Sequence, residues 1–389
     1  MAKIELIATA AFGLESVLAD EIRGLGYKNI KVENGKATFL GDETAIARCN
    51  LWLRTADRIL IKMGEFKAES FEELFQGTKS LPWPDYIPKN AEFPVSKAKS
   101  VKSKLFSLSD TQAIVKKAVV EKMKEKYKTD WFEENGPLYS IRISILKDIV
   151  TITIDTSGLG LHKRGYRKLN NEAPIKETLA AGLVLLSDWR NDRPFIDPMC
   201  GSGTIPIEAA MIGLNMAPGV RRQFVSEDWP IIDKSVWNKA REEAMDLFNY
   251  DSDFKVLGSD IDGEVLRDAR YNAHQFGLDD YVFFQTLPVS ELRSSKKYGC
   301  IICNPPYGQR LGKEKEVEML YREMGSTFKM LDTWSFYIIT GYPFFENIFG
   351  KKANKNRKLY NGRIQCYYYQ YFGPRPPHKK FIDAGVDNE

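Results

Sequence analysis

Hydrophobic and polar positions along the chain change rhythm once, near residue 158. Before it, IELIATA is almost continuously apolar, and Phe12 to Leu25 repeat their apolar positions at helical spacing up to Gly26. NIKVENGKATFLG then alternates in short runs separated by turn residues. Residues 43 to 61 read as helix followed by strand, and three prolines in LPWPDYIPKNAEF forbid a long helix over 81 to 93. Ser109 and Asp110 are placed to cap a helix from about Thr111 to Tyr127, and LYSIRISILKDIVTITIDTS predicts two strands joined at Lys147-Asp148. This half has an α+β texture.

From Gly158 onward, strand patterns alternate with helical ones, the mark of a parallel doubly wound sheet. The spacing predicts helices at 174–190, 204–213, 263–276 and near 315–330. Strands are expected at 194–197, 254–260, 281–285, 298–303 and 334–340. KLYNGRIQCYYYQY predicts an antiparallel edge pair turning at Asn361-Gly362. Residues 217–250 form a long insertion between two strands, with no assigned role. The chain divides at about 158–172, with a further division between 1–60 and 61–157.

A length of 389 residues suits two or three domains, and 43% hydrophobic residues can build their cores. No apolar run approaches the ~20 residues that span a bilayer, and Glu5 and Glu15 interrupt the N-terminal apolar stretch. A cytoplasmic protein without membrane attachment is expected. Five cysteines lack any framework spacing, and Cys300-Ile301-Ile302-Cys303 reads as buried strand rather than a zinc site. With only His162, His274 and His378 present, no metal is expected. The net charge of +4 conceals an asymmetry, because residues 1–168 hold 28 basic and 22 acidic side chains and residues 169–389 hold 28 and 30. Residues 94–128 alone carry ten Lys against three acidic residues. Lys97, Lys99, Lys102 and Lys104 precede a further lysine-rich helix, which suits contact with RNA phosphates. A second basic run, His162 to Lys168, contains Lys163, Arg164 and Arg167 and lies at the junction, where it could grip RNA or close over a ligand.

Candidate chemistry lies in three segments. Phe195-Ile196-Asp197-Pro198-Met199-Cys200-Gly201-Ser202-Gly203-Thr204 is a strand breaking into a glycine-rich turn that opens the helix IPIEAAMIG. Such a turn lets backbone approach a ligand and presents unpaired N–H groups. It matches neither GxxxxGK[ST] nor GxGxxG, and Asp197 would repel phosphate but suit the amino group of a cationic ligand. VLGSDID then places Asp260 and Asp262 where a doubly wound fold offers a carboxylate to ribose hydroxyls, although Asp262 also suits a helix N-cap. The third segment ends a strand in Asn304-Pro305-Pro306-Tyr307-Gly308. Its prolines fix the backbone so that the Asn304 amide oxygen and the Pro305 carbonyl can accept both hydrogens of one planar amine, with Tyr307 stacking on an extruded base.

DPMCGSGT, GSDID and NPPYG in this order resemble the S-adenosylmethionine-dependent amino-methyltransferases. GLHKRGYRKLNNEAPIKETLAAGLVLLSDW is similar to the THUMP-containing RNA guanine methyltransferases, nearest the bacterial 23S rRNA guanine N2-methyltransferases of the L type, and VSKAKSVKSKLFSLSDTQAIVKKAVVEKM resembles a THUMP core. The resemblance implies a ferredoxin-like subdomain at 1–60, a THUMP domain at 61–157 and a Rossmann-like methyltransferase domain at 158–389. It implies Asn304, Pro305, Pro306 and Tyr307 as catalytic residues. The cofactor, leaving as S-adenosylhomocysteine, would be held by Asp197, Pro198, Cys200, Gly201, Ser202, Gly203, Thr204, Asp260, Asp262 and Asn304. Structured RNA, 23S rRNA or a ribosome assembly precursor, is the implied partner. In some bacteria this unit is fused to a second methyltransferase. Where related enzymes carry an Asp for the adenine amine, this chain reads Thr286-Leu287-Pro288-Val289-Ser290, so that contact stays open between Thr286 and backbone. The corner alone leaves a tRNA guanine, a DNA adenine or a protein glutamine as other acceptors. An RNA-binding protein with a vestigial cofactor fold is the non-enzymatic reading.

Overall fold

A computed structural model describes residues 3–167, 175–308 and 314–377. The chain opens with β1 (Ile4–Ala10), α1 (Glu15–Gly24), β2 (Lys31–Glu33), β3 (Lys36–Gly41), α2 (Glu43–Trp52) and β4 (Ala56–Lys67). It continues through α3 (Phe71–Lys79), α4 (Trp83–Tyr86), β5 (Val95–Val101), α5 (Leu108–Tyr127), β6 (Ile141–Leu146) and β7 (Ile149–Asp155). These seven strands make one sheet, ordered β2-β3-β1-β4-β7-β6-β5. The 12-residue β4 explains the continuity: its first half pairs with β1 and its second with β7. At ~3.3 Å per residue it is long enough to serve two neighbours. It runs across position 60/61, so the two N-terminal regions are built on a shared sheet.

The second half contains α6 (Glu177–Leu185), β8 (Phe195–Asp197), α7 (Thr204–Gly213), α8 (Lys234–Asp246), β9 (Val256–Asp260), α9 (Val265–Gln275) and β10 (Val282–Thr286). After these come β11 (Cys300–Cys303), α10 (Glu314–Lys329), β12 (Ser335–Thr340), α11 (Phe345–Phe349), β13 (Lys355–Asn361) and β14 (Ile364–Tyr371). The sheet order is β10-β9-β8-β11-β12-β14-β13, parallel through β12 and antiparallel thereafter, the doubly wound architecture with an antiparallel edge. The hairpin turns on Gly362-Arg363, one residue later than expected, with Gly362 at φ 63°.

Three boundaries differ from the sequence expectation. α5 begins at Leu108 with Ser107 as its N-cap residue, so Ser109 and Asp110 lie inside the first turn, where the Ser107 hydroxyl donates to the Asp110 carboxylate at 2.6 Å. α6 ends at Leu185 rather than near 190: the Ser187 hydroxyl turns back onto the Val184 carbonyl at 2.6 Å, and Trp189 folds against Phe195 and Phe254. α9 starts at Val265, but Asp262 still accepts from the Glu264 amide at 2.8 Å, one turn ahead.

The 217–250 insertion is the seam between the halves. Trp229 stacks on Tyr139 with ring centroids 4.3 Å apart and donates to the Leu138 carbonyl at 2.9 Å. Glu243 on α8 receives both Arg48 Nε and Nη2 at 2.7 Å, a bidentate pair between halves. At the opposite edge Gly13, at φ 91°, lies against β13, where an added Cβ would sit 2.4 Å from the Lys358 carbonyl oxygen.

Between these seams the connecting segment is pinned by Arg164. Its guanidinium is buried, donates to the Arg54 and Leu161 carbonyls at 2.5 and 2.8 Å, and pairs with Glu208 on α7 at 3.2 Å. The Tyr166 hydroxyl reaches the same carboxylate at 3.4 Å. Breaking one side of a buried ion pair strands the other charge. Glu208→Ala is therefore expected to cost about 3–5 kcal/mol in chemical denaturation, whereas Arg164→Met with Glu208→Leu should recover much of that loss. Equal stability of Glu208→Ala and the parent chain would show that the pair does not hold the junction.

Candidate active site

The order of the C-terminal strands reverses between β8 and β11, and in open α/β sheets ligands bind outside the carboxyl ends at such a switch point. Two expected segments lie there side by side: Asp197 ends β8, and Asn304 follows β11. Cys300 and Cys303, three residues apart on β11, belong to hydrophobic clusters on opposite sides of the sheet and cannot share a metal.

The glycine-rich loop is held from several sides. The Gly201 amide donates to Asp260 Oδ2 at 2.9 Å, the Cys200 amide to the Ser259 carbonyl at 2.9 Å, and buried Asn272 on α9 to the Ser202 carbonyl at 3.1 Å. Gly203 takes φ 82°, and a Cβ there would stand 2.8 Å from the Phe284 ring, so glycine is required both for the turn and for packing. Asp260 thus has a role the sequence did not announce: one oxygen fastens the loop while the other accepts the Asp262 amide at 3.1 Å. Each oxygen keeps a further lone pair, so the carboxylate retains capacity for hydroxyls. Thr286 lies beside it in register, at the same strand edge.

Not every expected loop residue faces outward. The Cys200 thiol is buried against the loop's own backbone, and the Thr204 hydroxyl accepts from Arg167 Nη2 at 2.6 Å. Two polar groups are left without a protein partner of the right kind. Ser202 Oγ is buried with no hydrogen-bond partner. Asp197 is fully buried, and its carboxylate accepts from the Met199 amide at 3.2 Å. Burial, with Asp260 adding repulsion, pushes its pKa well above the ordinary carboxylate range. An orphaned hydroxyl and an uncompensated buried acid beside glycine backbone fit a cationic, hydroxyl-bearing ligand.

At the second segment the rigid corner is braced from behind. Tyr321 on α10 donates to the Pro306 carbonyl at 2.8 Å and meets Thr340 at 2.9 Å. Asn304 is half-buried, Pro305 buried and Pro306 exposed. Tyr307 does not project into open space as a free platform. Its hydroxyl donates to Asn304 Oδ1, and Asn361 Nδ2 at the hairpin donates to that hydroxyl at 3.4 Å. The acceptor expected to face an amine is thus already engaged by a neighbouring side chain. Asn361, Tyr321 and Asn272 are site-supporting residues that no local motif marked, since each reaches the site from a distant part of the chain.

The basic segments are corrected in detail. Arg164 is buried in the junction and Arg167 is spent on Thr204 and on Glu177, 3.4 Å away, so neither offers a surface contact to RNA. Lys104 pairs with Glu69. On α5, Lys116, Lys122 and Lys124 pair with Glu134, Glu125 and Glu121. Lys163, Lys102, Lys97 and Lys99 are exposed. His274 is an exposed partner of Asp279, and His378 and Lys168 lie outside the described residues.

Known proteins resemble each part. An RlmL ferredoxin-like domain matches residues 5–60, a THUMP domain 68–155, and an RMKL-like methyltransferase domain 164–370. YpsC of Bacillus subtilis (strain 168), provisionally named an RNA methyltransferase, is 53% identical over 99% of this chain and 100% of its own. The ribosomal RNA large subunit methyltransferase K/L of Syntrophotalea carbinolica is 34% identical over 94% of this chain, which spans 53% of that protein. Among solved structures, SMU.472, provisionally named a methyltransferase and complexed with SAH, superposes with a TM-score of 0.92 at 48% identity, covering 97% of this chain and 100% of its own. A Listeria monocytogenes protein, provisionally named an N6-adenine-specific DNA methylase, gives 0.92 at 55% identity, covering 96% and 97%.

The buried acid makes a prediction. Because its folded pKa is raised, stability associated with protonated Asp197 is fully present below the unfolded pKa near ~3.9 and is lost as pH rises through the folded value. Asp197→Asn should make the ligand-free protein more stable than the parent at neutral pH and flatten this fall, as read from melting temperature against pH. A parallel pair of pH curves would show that the carboxylate is compensated in some other way.

Proposed function

We propose that this chain, which belongs to the RMKL-like methyltransferase family, transfers a methyl group from S-adenosylmethionine to the exocyclic N2 amine of a guanine in RNA, with 23S rRNA as the target. The observation that carries the reading is the placement of the Asp197 loop and the Asn304 corner on either side of one switch point, in a chain that also bears a THUMP domain. The ribosomal RNA K/L relative and the ferredoxin-like match favour rRNA, and the SAH-bound neighbour supports the cofactor. Such a reaction belongs in the cytoplasm.

Bound S-adenosylmethionine would supply an electrophilic methyl on a cationic sulfonium. The chain's own residues would do the positioning. Asp197 would find in a cationic ligand the charge its burial lacks, Ser202 Oγ would gain a partner, and Asp260 would accept from ribose hydroxyls with the capacity left beyond the Gly201 and Asp262 amides. Asn304 Oδ1 and the Pro305 carbonyl would accept the two hydrogens of a planar amine and leave its lone pair facing the methyl. Rate would come mainly from this alignment. In this structure Tyr307 occupies one of the two lone pairs of Asn304 Oδ1; in the proposed reaction the amine would displace that hydroxyl, and the freed ring would stack on the base. The residue ranges 1–60, 61–157 and 158–389 would serve as ferredoxin-like, RNA-binding and methyl-transfer regions.

The name of the Listeria neighbour favours one competitor, an adenine N6 acceptor in DNA. Incubation with methyl-tritiated S-adenosylmethionine and rRNA from a strain lacking this protein should label N2-methylguanosine. Label in N6-methyladenosine, or only in DNA, would replace the proposal with the adenine reading. Asn304→Ala should lower turnover by on the order of 100-fold, a loss larger than any it causes in SAH affinity. Undiminished turnover would remove Asn304 from the mechanism.

The Tyr307 contact separates two roles of one side chain. Tyr307→Phe keeps the ring and frees Asn304 Oδ1, so KM for RNA should fall or hold with turnover preserved. Tyr307→Ala should lower kcat/KM by the value of a stacked base, about 1–3 kcal/mol. If Phe proves as damaging as Ala, the hydroxyl itself is needed and the displacement is not.

A further inference from the structure

A groove of about 980 Å³ crosses the face of the N-terminal sheet and reaches the junction. Lys97 and Lys99, two apart on β5, share its lining with Arg142 on β6, Arg58 on β4, and Lys176 just ahead of α6. The register places Lys97 directly beside Arg142 across the β5–β6 ladder, an arrangement of like charges that costs stability. Asp155 answers Arg58 and Arg142, but no ion pair compensates Lys97 or Lys99 among the described residues. Although the Lys97 side chain is exposed, partial desolvation by the groove walls first, then the charges of Arg142, Arg58, Lys99 and Lys176, pull its pKa below the ordinary lysine value. Burial and then Lys176 likewise bring His162, on the same wall, down to about 4. The groove is thus a place where positive charge is gathered and left unbalanced.

It does not end at the junction. A second cavity of about 710 Å³ shares Phe12, Asn34, Asp57 and Lys176 with the first and continues to Lys358, Tyr360 and Gly362 on the β13–β14 hairpin. Phe12, 49% exposed, meets Tyr360 edge to face with centroids 6.1 Å apart, and Lys358 lies over the Tyr360 ring at 5.6 Å. Asn361, the residue following Tyr360, is the one that bonds the Tyr307 hydroxyl. The two cavities together therefore run from the lysines of β5 past an aromatic pair to the β13–β14 hairpin, the hairpin whose Asn361 reaches the active-site corner.

A charged track with aromatic side chains along it is the arrangement that binds single-stranded nucleic acid, phosphates on the cations and bases on the rings. A paired RNA helix offers its outer phosphates to a surface but keeps its bases stacked inside, whereas an unpaired strand can enter a groove and give its bases to aromatic side chains. We infer that this groove holds an unpaired RNA strand flanking the target nucleotide, with phosphates against Lys97, Lys99 and Lys176 and one base on the Phe12–Tyr360 pair. This rests on the RNA reading of the active site and specifies how that substrate is held.

Fluorescence anisotropy with SAH present, using a labelled oligouridine strand and a fully paired RNA hairpin, tests it. The strand should bind more tightly than the hairpin. Lys97→Ala with Lys99→Ala should weaken strand binding about tenfold and reduce its log–log salt slope by roughly 1.4, at ~0.7 per phosphate contact. Phe12→Ala should weaken strand binding with the slope unchanged, because stacking releases no counterions. Retained SAH affinity identifies folded variants, and a 5-bromouridine strand should photocrosslink to Phe12 or Tyr360 in the unaltered protein. Tighter hairpin binding, or strand affinity and crosslinks indifferent to these residues while RNA is still methylated, overturns the groove and leaves the RNA reading intact. Failure of any RNA to bind or accept methyl overturns both.

Discussion

The arrangement of this protein depends on one buried ion pair. Arg164 sits in the segment joining the two halves, and its guanidinium ties two backbone carbonyls of the N-terminal side and the junction to Glu208. Glu208 lies in α7, the helix that rises from the glycine-rich loop, so the same contact fixes both the junction and the helix behind the candidate cofactor site. Three residues further along, Arg167 reaches the Thr204 hydroxyl at the first turn of that helix. Buried charges of this kind add little net stability but tolerate few alternatives, which suits a joint whose geometry decides where a distant substrate arrives.

Around that joint, charge is used in two opposite ways. At the switch point a single acid is buried without a cation, and in the N-terminal groove several cations are gathered without enough acids. Both are costly in the isolated chain, and both become favourable once an oppositely charged ligand enters. The corner has a hydrogen bond in place of charge, since Asn304 Oδ1 is engaged by Tyr307, where the proposed reaction would put an amine. The covered acceptor also avoids an unsatisfied polar atom in a half-buried site.

The strands and helices of the C-terminal half were readable because their apolar runs are bounded by Gly, Pro and Asp that act through local backbone geometry. The three chemical segments were readable for the same reason: a Gly-Ser-Gly turn and an Asn-Pro-Pro corner constrain their own conformations. Helix ends were misplaced where a side chain outside the pattern intervened, as when Ser187 turned back on Val184. The lysine run was only partly readable. Its net charge is a property of the sequence, but the neutralisation of Lys104 and Lys116 depends on Glu69 and Glu134, which folding brings from elsewhere. Arg164 and Arg167 looked like members of a basic surface patch because position in a charged run says nothing of burial.

By itself, the sequence determined the two kinds of fold, a glycine-rich loop at the end of one strand, an Asn-Pro-Pro corner at the end of another, and a surplus of positive charge in the first half. Each follows from interactions between near neighbours, or from counting. Tertiary structure decided which charges remain uncompensated, that β4 makes one sheet of two regions, that the 217–250 insertion is a seam, and that Tyr307 rests on Asn304. These are contacts between residues far apart in sequence or choices among side-chain directions, and the packing of the whole chain selects them.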